Sequence, residues 1–254
     1  MGGAIAEGLI KCEQINNEDI TISDPSVEAR KHFADLGITA TPSNQLAAQG
    51  ADVVCVVVKP WLVEQVLKGL RDVFDYEHQL LVVVAAGVKS EDITQWLTKD
   101  GKMIPLFLCI PNIAIAQLQS MTFLVPSVET KPQHTEQIKA LFDAMGQTLL
   151  TDEAHLAAGT TLASCGIAYA MRYIRAASEG GVELGFKADE AKKVVMQTMR
   201  GAVELLESSG MHPEAAIDLV TTPGGVTIKG LNEMEHAGFT SSVIRGLKAG
   251  ASKG

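Results

Sequence analysis

Two apolar runs constrain the fold of this chain more than any other feature. Val53-Val54-Cys55-Val56-Val57-Val58 and Leu80-Leu81-Val82-Val83-Val84 contain no polar residue, the pattern of parallel strands buried on both faces. Neither approaches the roughly 20 residues a membrane helix needs. Strand and helix patterns alternate around them. The first ten residues read as a helix already begun, with Ala4, Ile5, Leu9 and Ile10 at helical spacing. A strand over 19–23 ends at Asp24-Pro25, and a helix follows over 26–36. A short strand over 37–40 leads to a helix over 42–49, stopped by Gly50. Further helices are expected over 61–74, 90–97 (with Ser90 as N-cap) and 132–145, and strands over 103–109 and 121–126. Such alternation predicts an α/β sheet covered by helices on both faces.

The alternation stops near residue 152. One long helix is expected over 153–180, a second over 188–209, and shorter ones over 213–220, 227–236 and 241–249. Gly159, Gly166 and many alanines allow close helix contact, either between subunits or within one bundle. The domains are therefore placed at 1–150 and 151–254.

Composition excludes several functions. The net charge of −9 repels a phosphate backbone, so nucleic acid is not an expected partner. Without a spanning run or a signal-like N-terminus, the expectation is a cytoplasmic protein with no membrane partner. Cys12, Cys55, Cys109 and Cys165 show no CxxC spacing and are read as buried thiols of a reducing compartment. The histidines form no HxH or HExxH pattern, so no metal is expected. His155 and Cys165 lie ten helical positions apart, about 15 Å along an axis, too far for a catalytic pair.

Three strand ends carry the chemistry that remains. Asp24 closes the strand after the first helix, where a dinucleotide-binding fold places a carboxylate on the adenosine ribose; the alternative is a turn-forming Asp-Pro pair. Lys59-Pro60 and Ala85-Ala86-Gly87 end the two apolar strands, and Ile110-Pro111-Asn112 ends the next. Open α/β sheets bind ligands at such carboxyl ends. In the second domain, Thr221-Thr222-Pro223-Gly224-Gly225-Val226-Thr227 joins two helices and has the makings of a carboxylate or phosphate nest. Gly2, Gly3 and Gly8 alone are a weak nucleotide signal. A cleft of backbone donors and hydroxyls suits hydride transfer, with a cofactor carrying the chemistry.

These residues resemble the pyrroline-5-carboxylate reductase family along essentially the whole chain. Met1-Gly2-Gly3-Ala4-Ile5-Ala6 is similar to the second half of that family's glycine-rich fingerprint. Asn44, Asp52-Val53, Val58-Lys59-Pro60, Ala86-Gly87-Val88 and Pro111-Asn112 match its middle. Thr222-Pro223-Gly224-Gly225-Val226-Thr227-Ile228-Lys229-Gly230-Leu231 is close to its signature. The resemblance implies a Rossmann-like domain joined to an all-helical domain that interlocks into a homodimer or a higher oligomer. It implies an NAD(P)H-dependent oxidoreductase that reduces C5 of a small cyclic imino acid to give L-proline. Thr227 would be the catalytic residue, hydrogen-bonded near the ring nitrogen. Cys165, Gly224, Gly225 and Val226 would bind substrate with it. Met1, Gly2, Asp24, Asn44, Val58, Lys59, Pro60, Ala86, Gly87 and Asn112 would bind the cofactor.

The departures are equally specific. The family's Ser-Gly-Ser-Gly-Pro-Ala is Ala163-Ser164-Cys165-Gly166-Ile167-Ala168 here, and its Asn-Thr-Pro is Asn112-Ile113-Ala114. Leu108 stands where an arginine is expected. Asp24-Pro25 replaces the usual Asn-Arg, which leans the cofactor choice toward NADH. Met1 falls inside the family fingerprint, so the domain is expected to lack its first strand, leaving a gap in the sheet, and an N-terminal truncation is the favoured reading. A related reductase of another imine or keto acid, or a non-catalytic ligand-binding dimer, are the alternatives.

Overall fold

A computed structural model describes residues 1–251, and the chain divides after Ser164 into two compact units. The first contains α1 (Gly2–Lys11), β1 (Thr21–Ser23), α2 (Val27–Asp35), β2 (Thr39–Thr41), α3 (Asn44–Ala48), β3 (Val53–Val56) and α4 (Pro60–Leu70). It continues through β4 (Leu80–Val83), α5 (Ser90–Leu97), β5 (Leu106–Ile110), β6 (Ser120–Pro126), α6 (Pro132–Asp143), β7 (Gly146–Leu150) and α7 (Leu156–Gly159). Local chemistry sets several of these boundaries. The Ser26 and Ser43 hydroxyls cap α2 and α3 by accepting from the Ala29 and Leu46 N–H groups. Pro60 occupies the first position of α4, where its missing N–H costs nothing.

Five strands form a sheet in the order β3-β4-β5-β6-β7, parallel except for the β5–β6 pair. β1 and β2 form a separate parallel pair, with Thr21 opposite Thr39. Among the described residues no ladder joins β1 to β3. Helix α1 connects the two sheets through packing. Ile5 joins the cluster of Val82, Phe107, Cys109, Ile138 and Phe142, while Ala6 packs with Ile20, Phe33 and Ile38. On the opposite face of the larger sheet, Val63, Leu67, Ile93 and Leu97 from α4 and α5 cover Val56, Leu81 and Val83. Helices thus lie on both faces, as the alternation predicts.

The structure corrects several expectations. β4 is buried throughout, but β3 is not: Val53 and Val54 are half-buried and Cys55 is exposed. β3 sits at the edge of its sheet, so only one neighbour covers it. Cys109 is the one buried thiol among the four; Cys12 and Cys165 are half-buried. Ser90 is not an N-cap; it is the first residue of α5, and Lys89 precedes it without a side-chain cap. The strand expected over 19–23 begins later, because 17–19 form a 3-10 turn. β7 has no counterpart in the sequence reading; its pairing with β6 is non-local. The helix expected over 153–180 opens as a 3-10 turn at Glu153–His155 and then runs on without a break to Glu183, through α7, a π-helical turn at Thr160–Cys165 and the helical residues from Gly166. By compactness the first unit runs to Ser164.

The second unit consists of α8 (Gly166–Glu183), α9 (Ala188–Ser209), α10 (Pro213–Leu219), α11 (Val226–His236) and α12 (Phe239–Ala251). α8 and α9 approach closely at Gly181, where a Cβ would lie 2.9 Å from that of Ala191. Ala191 is the only buried residue from 165 to 251, and Met171, Leu184, Val203, Leu205 and Leu219 are all exposed. Among the described residues, no helix is long and apolar enough to cross a membrane.

Candidate active site

The candidate residues fall into one group in each unit. In the first, they gather at the head of α1 and at strand carboxyl ends. Met1 caps α1, and the Ile5 N–H donates to its carbonyl at 3.0 Å. A Cβ on Gly2 would sit 3.7 Å from Val57, just after β3, and one on Gly3 would sit 3.5 Å from Phe33 of α2. These are ordinary contacts, so neither position needs glycine for packing. Val57 therefore brings Met1 and Gly2 beside the strand end that carries Val58, Lys59 and Pro60.

At the end of β1, Asp24 Oδ1 accepts from the Ser26 N–H at 2.8 Å. This is the turn geometry the sequence offered as the alternative role. Among the described residues Oδ2 has no partner, so the carboxylate can still meet a ribose hydroxyl. Asn44, the first residue of α3, accepts the Ser23 hydroxyl at 2.8 Å and is thereby held beside Asp24. Sequence reasoning missed Arg30. One turn into α2, its guanidinium donates to the Asp24 carbonyl at 2.6 Å, placing a cation beside a residue chosen for its negative charge. The Ser26 cap four residues earlier is the signal that could have located it.

Ala86 and Gly87 follow β4 and are exposed. Gly87 has φ +81° and open space around its Cα, leaving bare backbone to meet a flat ring. Asn112 is buried, and its Oδ1 accepts from the Ala114 N–H at 3.0 Å, capping the 3-10 turn that follows β5. The Asn112 N–H in turn donates to Ser120 Oγ at 3.2 Å, and Ser120 Oγ lies 2.9 Å from Thr122 Oγ1. Burial of all three residues makes this a fixed floor beneath the Pro111-Asn112 loop.

In the second unit, Thr222, Pro223, Gly224 and Gly225 make a turn closed by the Gly225 N–H on the Thr222 carbonyl at 3.0 Å. Gly224 has φ +71°, which only glycine adopts at low cost. A Cβ on Gly225 would fall 2.5 Å from Thr222 Oγ1 and 3.0 Å from the Thr222 carbonyl oxygen, so a side chain here would displace the hydroxyl and crowd the turn. Gly225 is the N-cap of α11, Val226 and Thr227 are its first two residues, and its first turn carries no acidic side chain. The head of α11 is thus a set of unpaired N–H groups at the positive end of a helix dipole. Cys165 closes the π-helical turn immediately before α8. Among the described residues no cluster of His, Cys, Asp and Glu could hold a metal.

Comparison with known proteins places this arrangement. Residues 153–254 match the family model for pyrroline-5-carboxylate reductase dimerisation, and residues 1–87 match one described as NADP oxidoreductase, coenzyme F420-dependent. Pyrroline-5-carboxylate reductase 2 of Dictyostelium discoideum is 32% identical, over 100% of this chain and 88% of that protein. Pyrroline-5-carboxylate reductase 1 of the same organism is 36% identical over 100% of this chain, which spans only 47% of that protein's length. Among solved structures, the Streptococcus pyogenes 1-pyrroline-5-carboxylate reductase is 29% identical, covering 98% of this chain and 93% of its own, with TM-score 0.85. The NADP-bound Plasmodium falciparum pyrroline carboxylate reductase, 22% identical, shares the fold over 99% of this chain and 92% of its own at TM-score 0.89. A Rossmann-like sheet followed by helices is therefore a shared architecture, and the chain belongs to the pyrroline-5-carboxylate reductase family.

Proposed function

We propose that this chain reduces the C=N bond of pyrroline-5-carboxylate with NAD(P)H to give L-proline, acting as a cytoplasmic homodimer through its helical unit. The turn at Thr222–Gly225 carries the reading. The left-handed Gly224 and the close-packed Gly225 shape the turn that leads into α11, and a substrate carboxylate is the natural guest of the N–H groups at such a helix head. Gly224, Gly225 and Val226 would hold that carboxylate, Cys165 would line the substrate, and the Thr227 hydroxyl would hydrogen-bond near the ring nitrogen. The imine accepts hydride best when its nitrogen is protonated, so Thr227 orients that nitrogen while the proton arrives with substrate or from solvent. Reduced nicotinamide supplies the hydride when bound.

In the first unit, Asp24 and Asn44 would meet the adenosine end of the cofactor. Met1 and Gly2 would face its phosphates from the head of α1. Val58, Lys59, Pro60, Ala86, Gly87 and Asn112 would flank the rest. A carboxylate at position 24 opposes a 2′-phosphate and supports a lean to NADH, while the adjacent Arg30 supports NADPH. The dimer reading rests on the second unit's lack of a buried core.

The test is oxidation of NADH and NADPH with pyrroline-5-carboxylate. Turnover that falls more than cofactor affinity in Thr227→Ala supports the assignment, and equal loss of both removes Thr227 from its role. Cofactor binding without turnover would redirect the reading to another imine or a keto acid. Failure to bind either dinucleotide would leave a non-catalytic dimer.

A further inference from the structure

The segment from Glu153 to Ser164 grips both loops assigned to the nicotinamide half of the cofactor, and no part of the proposed chemistry uses it. At its start, the Glu153 carboxylate accepts from the Ser90 N–H at 3.3 Å and from the Ser90 hydroxyl. Ser90 opens α5, directly after the Ala86-Gly87 loop, and α5 has no side-chain cap of its own. A carboxylate from 63 positions away therefore serves one orphan backbone donor of that helix, the Ser90 N–H, and suits its dipole. At the segment's end, the Ser164 hydroxyl donates to the Pro111 carbonyl at 3.0 Å. The next residue, Asn112, is held from the other side by buried Ser120.

The stretch between the two anchors is rigid for visible reasons. Leu156 packs against the cluster under β4 and β5. Gly159 is buried so closely on Phe123 that a Cβ would fall 2.9 Å from the ring. The π-helical turn at Thr160–Cys165 inserts an extra residue into the helical phase, and such turns recur at functional sites. Ser164, the last residue but one of this turn, lies against the Pro111 carbonyl.

We propose that Glu153 and Ser164 are positioning residues: through Ser90 and Pro111 they set the spacing of the two loops between which reduced nicotinamide must lie for hydride transfer. This rests on the cofactor reading above. The test uses the full chain and the variants Ser164→Ala, Ser164→Thr and Glu153→Ala, with amide exchange of residues 86–90 and 111–114 read first. Loss of either anchor should speed exchange about three- to tenfold in the loop it holds, the size a single net hydrogen bond gives. Unchanged exchange in both loops would overturn the clamp whether or not the protein turns over imine. In the kinetic arm, Ser164→Ala should lower kcat about tenfold with little change in KM for NADH. It should also raise the primary isotope effect with C4-deuterated NADH, and Ser164→Thr should restore both. A loss of kcat with an unchanged isotope effect, or one that threonine does not rescue, would reduce Ser164 to a structural residue and sink the proposal. If the unaltered chain oxidises neither dinucleotide with any imine, the functional reading fails, and the exchange data still decide the clamp.

Discussion

Helix α1 depends on one glycine for its seat, and replacing it tests how the first unit is assembled. A Cβ at Gly8 would lie 2.6 Å from the Ile115 carbonyl oxygen and 2.9 Å from the Met145 sulfur. Met145 can swing aside, but the carbonyl belongs to backbone fixed in the 3-10 turn over Ile113–Gln117. Carbon and oxygen rest near 3.5 Å apart, so α1 must retreat by roughly an ångström. Two terms compete. Alanine in a helix gains about 1 kcal/mol over glycine, while overpacking a tight contact costs about 1–3 kcal/mol. Because the obstacle is backbone, the upper half of that range applies, and Gly8→Ala should lose about 1–2 kcal/mol net. Gly69, on the exposed face near the end of α4 with nothing within 4 Å, supplies the control. There only the helix term acts, and Gly69→Ala should be neutral or stabilising by up to about 1 kcal/mol. Urea midpoints of the three proteins decide the matter, read from the transition of the first unit. If Gly8→Ala gains as much as Gly69→Ala, the close approach of α1 to Ile115 is not real. The account of how α1 ties the two sheets together then fails.

Three further outcomes follow from the site and its surroundings. Asp24→Ser should lower the NADH-to-NADPH ratio of kcat/KM about tenfold, and Arg30→Ala should raise it; ratios unchanged in both would leave Asp24 as the turn residue its bond to Ser26 makes it. Gly225→Ala, whose Cβ would meet Thr222 Oγ1 at 2.5 Å, should raise KM for pyrroline-5-carboxylate at least tenfold with cofactor affinity intact, and a normal KM would detach the turn from the substrate. At Asp143, partial burial opposes ionisation, but the Lys139 ammonium and the Thr148 N–H outweigh it and hold the carboxyl below its ordinary range. That stabilisation is present above the ordinary carboxylate pKa and disappears as pH falls through the lowered one. The deficit of Asp143→Asn in urea should therefore shrink on acidification from pH 7 to pH 3, and a constant deficit would contradict the assignment.

What could be read in the sequence was whatever depends on local pattern. The apolar run at 80–84 located β4, Gly50 stopped α3, and the Pro-Gly-Gly turn marked the head of α11, because propensity and periodicity are encoded within a few residues. Non-local pairing escaped. β7 pairs with β6 although its own residues, Gly146–Leu150, carry no strong strand pattern. Cys55 belongs to an apolar run, yet it is exposed because β3 has a single strand neighbour in its sheet. Asn112 has the residue type of a ligand-binding side chain, and only the fold shows its oxygen committed to Ala114. Glu153 and Ser164 were invisible for the same reason, since their partners lie 63 and 53 positions away.

The helical unit raises a question of energetics that bears on the site it carries. Five helices with Ala191 as their single buried residue bury too little apolar surface to offset the entropy of ordering that many residues. Exposed Leu184, Leu205 and Leu219 must find cover, and on the homodimer reading a second copy supplies it. Folding of the helical unit is then inseparable from association, and its stability depends on protomer concentration. The glycine turn at Thr222–Gly225 stands in this unit, so the substrate carboxylate would be held by a loop whose geometry exists only in the dimer. The cofactor residues lie in the first unit, which has its own buried core at β4 and β5. Dilution below the dimer's dissociation constant should therefore abolish imine reduction while leaving dinucleotide affinity nearly unchanged. A parallel loss of both would mean that the first unit, too, is held in shape by its partner.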